Sequence, residues 1–139
     1  MNQLDDVRSY NIGTSNYATN GTKYQPWDFW IIFHQNPFDA DITKRVLRIK
    51  KTDGRLLDYQ KICHICLERI RQIQNNENVF PIEYFEPQGI TLEEMIADYD
   101  ITENDKFILY RVLYPTSNRI EDYKQIIDIC NIRIRELEI

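Results

Sequence analysis

The sequence has few of the residues that mark several common classes of protein. Its 139 residues include only three cysteines, four glycines and two histidines, and its apolar runs are short. A membrane-spanning helix needs about 20 consecutive apolar residues, and three cysteines do not make a disulfide framework. The N-terminus is polar, unlike a secretory signal. We therefore expect an intracellular, soluble protein.

An excess of basic residues is also absent. Seventeen Lys and Arg against 22 Asp and Glu give a net charge of -5, so the chain lacks the overall positive field that holds duplex nucleic acid. None of the four glycines precedes Lys-Ser or Lys-Thr, which excludes a Walker loop. The two histidines lie in no recognisable catalytic context. Any site for phosphate or nucleic acid must then be a local basic patch.

The composition nevertheless allows a real core, and the chain divides into four segments. Hydrophobic residues make up 42% of the sequence, with 15 Phe and Tyr. Residues 1–23 have no sustained hydrophobic period and are predicted to form a flexible, extended arm. A first helical repeat follows over 24–75, then a linker over 76–90 whose aromatic residues are expected to pack over the seam between the repeats. A second helical repeat is predicted over 91–139.

Helical spacing predicts three helices in the first repeat. They run from Pro26 to about Gln35, from Phe38 to about Lys51, and from Arg55 to about Asn75. The third carries an apolar stripe at i, i+3, i+4 and i+7, formed by Tyr59, Ile62, Cys63, Cys66, Ile70 and Ile73. In the second repeat, Thr91 and Glu94 have the spacing of a capping box at the start of a short helix that extends to Asp100.

The two repeats resemble each other in sequence. Residues 58–73 and 122–137 are identical at eight of sixteen positions, and upstream Arg45-Val46-Leu47 corresponds to Arg111-Val112-Leu113. Asp39 likewise corresponds to Asp105. We interpret this as an internal duplication. The predicted fold is all-α, a helical bundle of two tandem three-helix repeats related by a pseudo-twofold, with the two apolar stripes facing each other.

Comparison of the repeats indicates that the Cys63-His64-Ile65-Cys66 motif belongs to the core. A CxxC spacing can hold a metal ion, but a structural zinc site needs a second ligand pair. Cys66 corresponds to Cys130, whereas Cys63 corresponds to Ile127, so these positions favour small apolar side chains. No metal site is predicted.

The basic residues of the first repeat, by contrast, are not shared. Three cations at i, i+4 and i+7 form a stripe that a fourth can join: Lys44, Arg48, Lys51 and Lys61. Their counterparts are Tyr110, Tyr114, a turn and Gln125. Such a cluster on an acidic protein is a credible phosphate site. The alternative is a solvated helix face paired with Asp41, Asp58 and Glu68.

Part of the first repeat resembles a small phage family, the domain of unknown function 3310 group, which is often labelled nucleotide kinase-like. The resemblance is carried by residues 24–28, 40–48, Lys51, 58–61 and Ile65, and it covers about residues 24–73. The family's Gly-Asn pair is replaced here by Ala40-Asp41. The resemblance implies phosphoryl transfer from a nucleoside triphosphate, with magnesium, without a Walker loop. It also implies that Lys44, Arg48, Lys51 and Lys61 hold phosphates, that Tyr24 and Trp27 stack on a base, and that Asp28 or Asp58 orients the site or a magnesium ion.

Three hypotheses for the function follow. The first is a phage nucleotide kinase-like protein that binds a deoxynucleotide on the basic stripe and transfers phosphate. The second is a binder that sequesters nucleotides without catalysis. The third is a helical assembly protein or virion component whose N-terminal arm binds neighbouring subunits, as a homo-oligomer or in a larger assembly. The expected location is the host cytoplasm or the virion.

Overall fold

A computed structural model of the chain describes residues 23–48, 54–77, 80, 82 and 85–138. Six α-helices and no strands are found in these residues, which confirms the all-α class. The helices are α1 (Pro26–Ile32), α2 (Pro37–Val46), α3 (Arg55–Gln74), α4 (Leu92–Ile96), α5 (Glu103–Leu113) and α6 (Arg119–Leu137). No helix in the described part of the chain is both long and apolar enough to cross a membrane.

Short polar side chains begin most of the helices. The Asn36 side chain accepts a hydrogen bond from the Asp39 amide at the start of α2, and Asn118 accepts one from Glu121 at the start of α6. Thr91 caps α4 by accepting from the Glu94 amide, as the sequence predicts. A reciprocal capping box forms at α5, where Thr102 and Asp105 bond each other's backbone amides.

Three helices are shorter than their sequence patterns predict. Helix α2 ends at Val46 rather than near Lys51, because the guanidinium of Arg55 donates to the carbonyls of Arg45 and Val46 at 2.7 and 3.2 Å. Helix α1 ends at Ile32, and His34 then adopts a left-handed conformation with a φ of 52°. Helix α4 ends at Ile96 instead of extending to Asp100.

The core lies along the contact between α3 and α6, the most extensive of the helix–helix contacts. The predicted stripe on α3 faces this contact: Tyr59, Ile62, Cys66 and Ile70 are buried, and Cys63 and Ile73 pack at its margin. Cys130 on α6 is also fully buried. The cysteines therefore pack as small apolar side chains.

The described aromatic residues of the linker contact α2 and the turn between α1 and α2, and their packing over the seam between the repeats stays a prediction. Phe80 makes an edge contact with Phe38 of α2, and Phe85 stacks on His34 with 3.9 Å between ring centroids. The predicted arm over 1–23 lies outside the described residues except for Lys23. The internal duplication stays a prediction, although α1–α3 and α4–α6 follow the same short, medium, long order.

Candidate functional site: a basic face around Asp58

Two buried hydrogen-bond networks join the halves of the chain. In one, Tyr59 donates its phenol hydrogen to Asp105 at 2.5 Å, and Arg55 forms an ion pair with the same carboxylate at 3.0 Å. In the other, Tyr123 donates to Asp39 at 2.7 Å, and Arg119 pairs with Asp39 at 3.1 Å. Each tyrosine thus bonds an aspartate from the opposite half.

The remaining members of the two networks also correspond. Arg119 donates to the carbonyls of Arg111 and Val112, as Arg55 does to those of Arg45 and Val46. These contacts hold the C-terminal ends of α5 and α2 against the first turns of α6 and α3. The fold therefore uses a matched set of buried polar contacts as scaffold, and departures from the match identify residues with another role.

The first departure surrounds Asp58, which is only 2% exposed. Three guanidinium groups face its carboxylate, with nitrogen to oxygen distances of 3.4 Å to Arg45, 3.3 Å to Arg48 and 3.9 Å to Arg55. Burial raises the pKa of Asp58 above its usual value of 3.8, while the three arginines act in the opposite direction. Two of these arginines also pair with other carboxylates, Arg45 with Asp41 at 3.1 Å and Arg55 with Asp105 at 3.0 Å, whereas the ion pair of Arg48 is with Asp58.

Asp122, the counterpart of Asp58, is bound differently. Its carboxylate accepts hydrogen bonds from the Thr116 hydroxyl at 2.6 Å and from the Thr116 amide at 2.8 Å, and it forms an ion pair with Arg119. The counterpart of Arg48 is Tyr114, so Asp122 lacks the second arginine that contacts Asp58 from the end of α2.

Two predicted members of the stripe are exposed lysines. Lys44 on α2 and Lys61 on α3 are exposed, and neither forms an ion pair with another residue in the described ranges. Lys61 lies one helical turn beyond Asp58 on α3, on the same side of the helix. We call Lys44, Arg45, Arg48 and Lys61 the basic face. Lys51, the remaining predicted member, lies outside the described residues.

The other predicted site residues lie at the start of α1. Asp28 accepts a hydrogen bond from the Gln25 amide at 2.8 Å and caps the helix. The carbonyl of Tyr24 accepts from the phenol of Tyr99 in the second half. Trp27 is 37% exposed. Among the predicted residues, the structure brings Arg48 and Asp58 into direct contact, whereas Tyr24 and Asp28 have their contacts elsewhere.

The carboxylates implied as magnesium ligands do not fit that role. Asp58 faces three guanidinium groups, which repel a divalent cation, and an oxygen of Asp28 is committed to the helix cap. Within the described part of the chain, no three His, Cys, Asp or Glu side chains group as a metal site.

Sequence reasoning missed two features of this region. Arg45 recurs as Arg111, so a comparison of the repeats does not single it out, yet it contacts Asp58 beside Arg48. The second feature is an aromatic groove on α5, lined by Phe107, Tyr110, Arg111 and Tyr114. The i, i+3, i+4 and i+7 spacing of these four residues indicates that they share one face of a helix. A comparison of the repeats treats the two tyrosines only as the counterparts of Lys44 and Arg48.

Comparisons with known proteins bring no family to this site. No family model, no curated protein and no solved structure matches the chain.

Proposed function

We propose that this protein binds an anionic ligand of the nucleotide class on the basic face. The observation that carries the proposal is that Arg45 and Arg48 both contact the buried carboxylate of Asp58, with the exposed Lys44 four residues before Arg48 and the exposed Lys61 three residues after Asp58. Charge-assisted hydrogen bonds from arginine and lysine to phosphate oxygens are strong, and arginine can form two at once.

Asp58 has a positioning role in this proposal. Its buried carboxylate holds the guanidinium groups of Arg45 and Arg48 toward one point, which reduces the conformational entropy that a ligand must remove. A phosphate that approaches Arg48, whose side chain is 37% exposed, meets donors that are already oriented.

Binding without catalysis is the form of the proposal that the geometry supports. Phosphoryl transfer requires a residue that positions the acceptor and, in known enzymes, metal ions that neutralise charge. Asp58 is buried beneath arginines and Asp28 caps α1, so neither is arranged to contact magnesium or a reacting phosphate. The kinase hypothesis and its location in host cytoplasm or virion stay predictions.

Thermal unfolding and calorimetric titration with deoxynucleoside mono- and triphosphates test the proposal. At about 100 times its Kd, a ligand that binds only the folded state stabilises it by about 2.7 kcal/mol. We expect stabilisation by a nucleotide, a smaller effect from inorganic phosphate, and no turnover in the same samples. Turnover would support the kinase hypothesis instead.

Paired variants locate the binding. Arg48→Ala and Lys61→Ala should each weaken nucleotide binding at least tenfold, since each removes a charge-assisted contact. The matched control is Lys124→Ala, which removes an exposed lysine from α6. An equal loss of nucleotide affinity in Lys61→Ala and Lys124→Ala would contradict a local site. The proposal would also be contradicted if none of the nucleotides stabilised the protein or bound in the titration.

A second candidate function is self-assembly through α1. Trp27 and Ile31 lie one helical turn apart, and they are 37% and 67% exposed. Exposed apolar side chains on one helix face are typical of interaction surfaces. A second copy of the chain is the partner expected here. Mass measurement by light scattering should give an oligomer that Ile31→Asp dissociates, whereas Leu67→Asp, an equally apolar exposed position on α3, leaves it intact.

A further inference from the structure

An open groove of about 470 Å³ lies on α5, lined by Phe107, Tyr110, Arg111 and Tyr114. This volume is within the range of small-molecule sites, about 300–1,000 Å³. Three of the four lining side chains are aromatic, and the fourth carries a permanent positive charge. The groove therefore offers flat apolar walls beside a single cation.

The walls of the groove are held in place by contacts outside it. The phenol of Tyr110 donates a hydrogen bond to Glu93, and this bond raises the pKa of Tyr110 to about 12. Tyr114 packs edge-on against Phe33, with 5.4 Å between ring centroids. The Tyr110 and Tyr114 rings stack on each other at 6.0 Å. Preorganised aromatic walls lower the entropy cost of binding.

Among the described residues, Arg111 has none of the ion pairs that its counterpart Arg45 forms. Arg45 pairs with Asp41 at 3.1 Å and with Asp58 at 3.4 Å. At the position that corresponds to Asp41, the second half has Phe107, and the Arg111 guanidinium lies 5.2 Å from the centroid of that ring.

The carboxylate that corresponds to Asp58 does not compensate for this loss. Asp122 bonds Thr116 and Arg119, and Arg111 forms no ion pair with any residue in the described ranges. The Nε atoms of both Arg111 and Arg45 are buried without a hydrogen-bond acceptor, so the two arginines differ in their ion pairs. An arginine beside aromatic rings that has no carboxylate partner among the described residues can take an anionic group from a ligand.

We propose that the groove on α5 binds a planar aromatic carboxylate, with the ring against the tyrosines and the carboxylate on Arg111. A carboxylate fits better than a phosphate because one guanidinium lines the groove, and its single positive charge matches a carboxylate, whereas a phosphate group carries up to two negative charges. The aromatic part of the ligand gains offset or edge-on contacts with the rings. This site is separate from the basic face and does not depend on the function proposed for it.

Titration with naphthalene-2-carboxylate tests the proposal, with backbone amide shifts recorded by NMR on the whole chain. Two comparison probes separate the contributions: cyclohexanecarboxylate keeps the charge without the aromatic ring, and naphthalene-2-methanol keeps the ring without the charge. We expect shifts concentrated at residues 107–114 and binding at least tenfold tighter for the naphthoate than for either comparison probe. A deoxynucleoside monophosphate should bind this groove more weakly than the naphthoate.

Variants of the two key side chains complete the test. Arg111→Gln should weaken naphthoate binding at least tenfold, and Arg111→Lys should restore part of it. Tyr110→Ala removes one wall at a position that is 38% exposed, and should weaken binding without unfolding the protein. Lys124→Gln, which removes an exposed charge from α6, is the control and should bind as the wild type does.

Three results would overturn the proposal. The first is equal affinity for the naphthoate and its uncharged analogue. The second is unchanged naphthoate affinity in folded Arg111→Gln and Tyr110→Ala variants. The third is that amide shifts occur only at residues outside α5. Loss of nucleotide binding in Arg48→Ala with naphthoate binding retained would show that the two sites are distinct.

Discussion

Tyr123 donates its phenol hydrogen to Asp39, 84 residues away in the opposite half of the chain, with 2.7 Å between the oxygens. The same phenol oxygen accepts from Arg69 at 3.2 Å. Tyr59 makes the corresponding bonds to Asp105 and Arg133. The two halves are therefore joined by polar contacts as well as by their apolar stripes, and each half depends on the other for the partners of its buried aspartate.

Removal of the Tyr123 hydroxyl should destabilise the fold. Tyr123→Phe leaves an oxygen of Asp39 and the Nε of Arg69 without this partner in a buried site, which costs about 1–3 kcal/mol. Urea unfolding measures this free energy. Tyr59→Phe should cost a similar amount, because its contacts correspond. A change below about 0.5 kcal/mol in both variants would mean that these bonds contribute little.

Arg119 should not tolerate lysine. Its guanidinium donates to the carbonyls of Arg111 and Val112 and to Asp39, and an ammonium group cannot reach all of these acceptors. We expect Arg119→Lys to lower the free energy of unfolding by about 3 kcal/mol. Arg135→Lys, the same change at an exposed position on α6, is the control. Equal stability of the two variants would contradict the role given to Arg119.

Local periodicity predicts the long helices well, but it does not predict helix ends that depend on contacts with residues distant in sequence. The stripe on α3 follows from its 3.6-residue spacing, and the start of α3 at Arg55 was placed correctly. The end of α2 differs from the prediction. Arg55 donates to the carbonyls of Arg45 and Val46, ten and nine residues earlier, and no local helix-stop signal marks this contact. The partners of the described linker aromatics, Phe38 and His34, are distant from them in sequence, so no local pattern identifies them.

The candidate site was partly predictable for a different reason. Comparison of the halves drew attention to Lys44, Arg48 and Lys61, which differ between them, and drew it away from Arg45, which does not. The structure gives Arg45 and Arg111 different surroundings: one lies beside Asp58 and the other beside Phe107. Identical residues can have different roles when their neighbours change, and a comparison of single positions does not detect this.

An exposed ion pair on α3 should contribute to stability in a pH-dependent way. Arg71 binds both oxygens of Glu68 at 2.8 and 2.9 Å, and these hydrogen bonds lower the pKa of Glu68 from 4.5 to about 2. Because the folded pKa is lowered, the contribution is present above pH 4.5 and is lost as the pH falls toward 2.

Urea unfolding at about pH 6, 4 and 3 tests this dependence. The stability difference between the wild type and Glu68→Gln should shrink as the pH falls. Asp128→Asn removes an exposed acid on α6 that forms no ion pair with a described residue, and its difference from the wild type should change less. A constant difference for Glu68→Gln across the range would show that the pair has no net effect.

The three thiols should react at different rates. Cys63 is partly exposed, and a hydrogen bond from Cys130 lowers its pKa, whereas burial raises the pKa of Cys66. The pKa of Cys130 is raised by its hydrogen bond with Cys63 and by burial. Thiolates are the reactive form, so a disulfide reagent should label Cys63 first in the folded protein.

Mass spectrometry of the labelled protein identifies the order of reaction. Cys63→Ser should remove the fast phase and leave two thiols that react only as fast as the protein opens. Cys66→Ser should keep the fast phase, although the hydroxyl destabilises a position that is fully buried in the core. Rapid labelling of Cys66 or Cys130 in the native wild type would contradict the packing of α3 against α6, since both thiols lie within that contact.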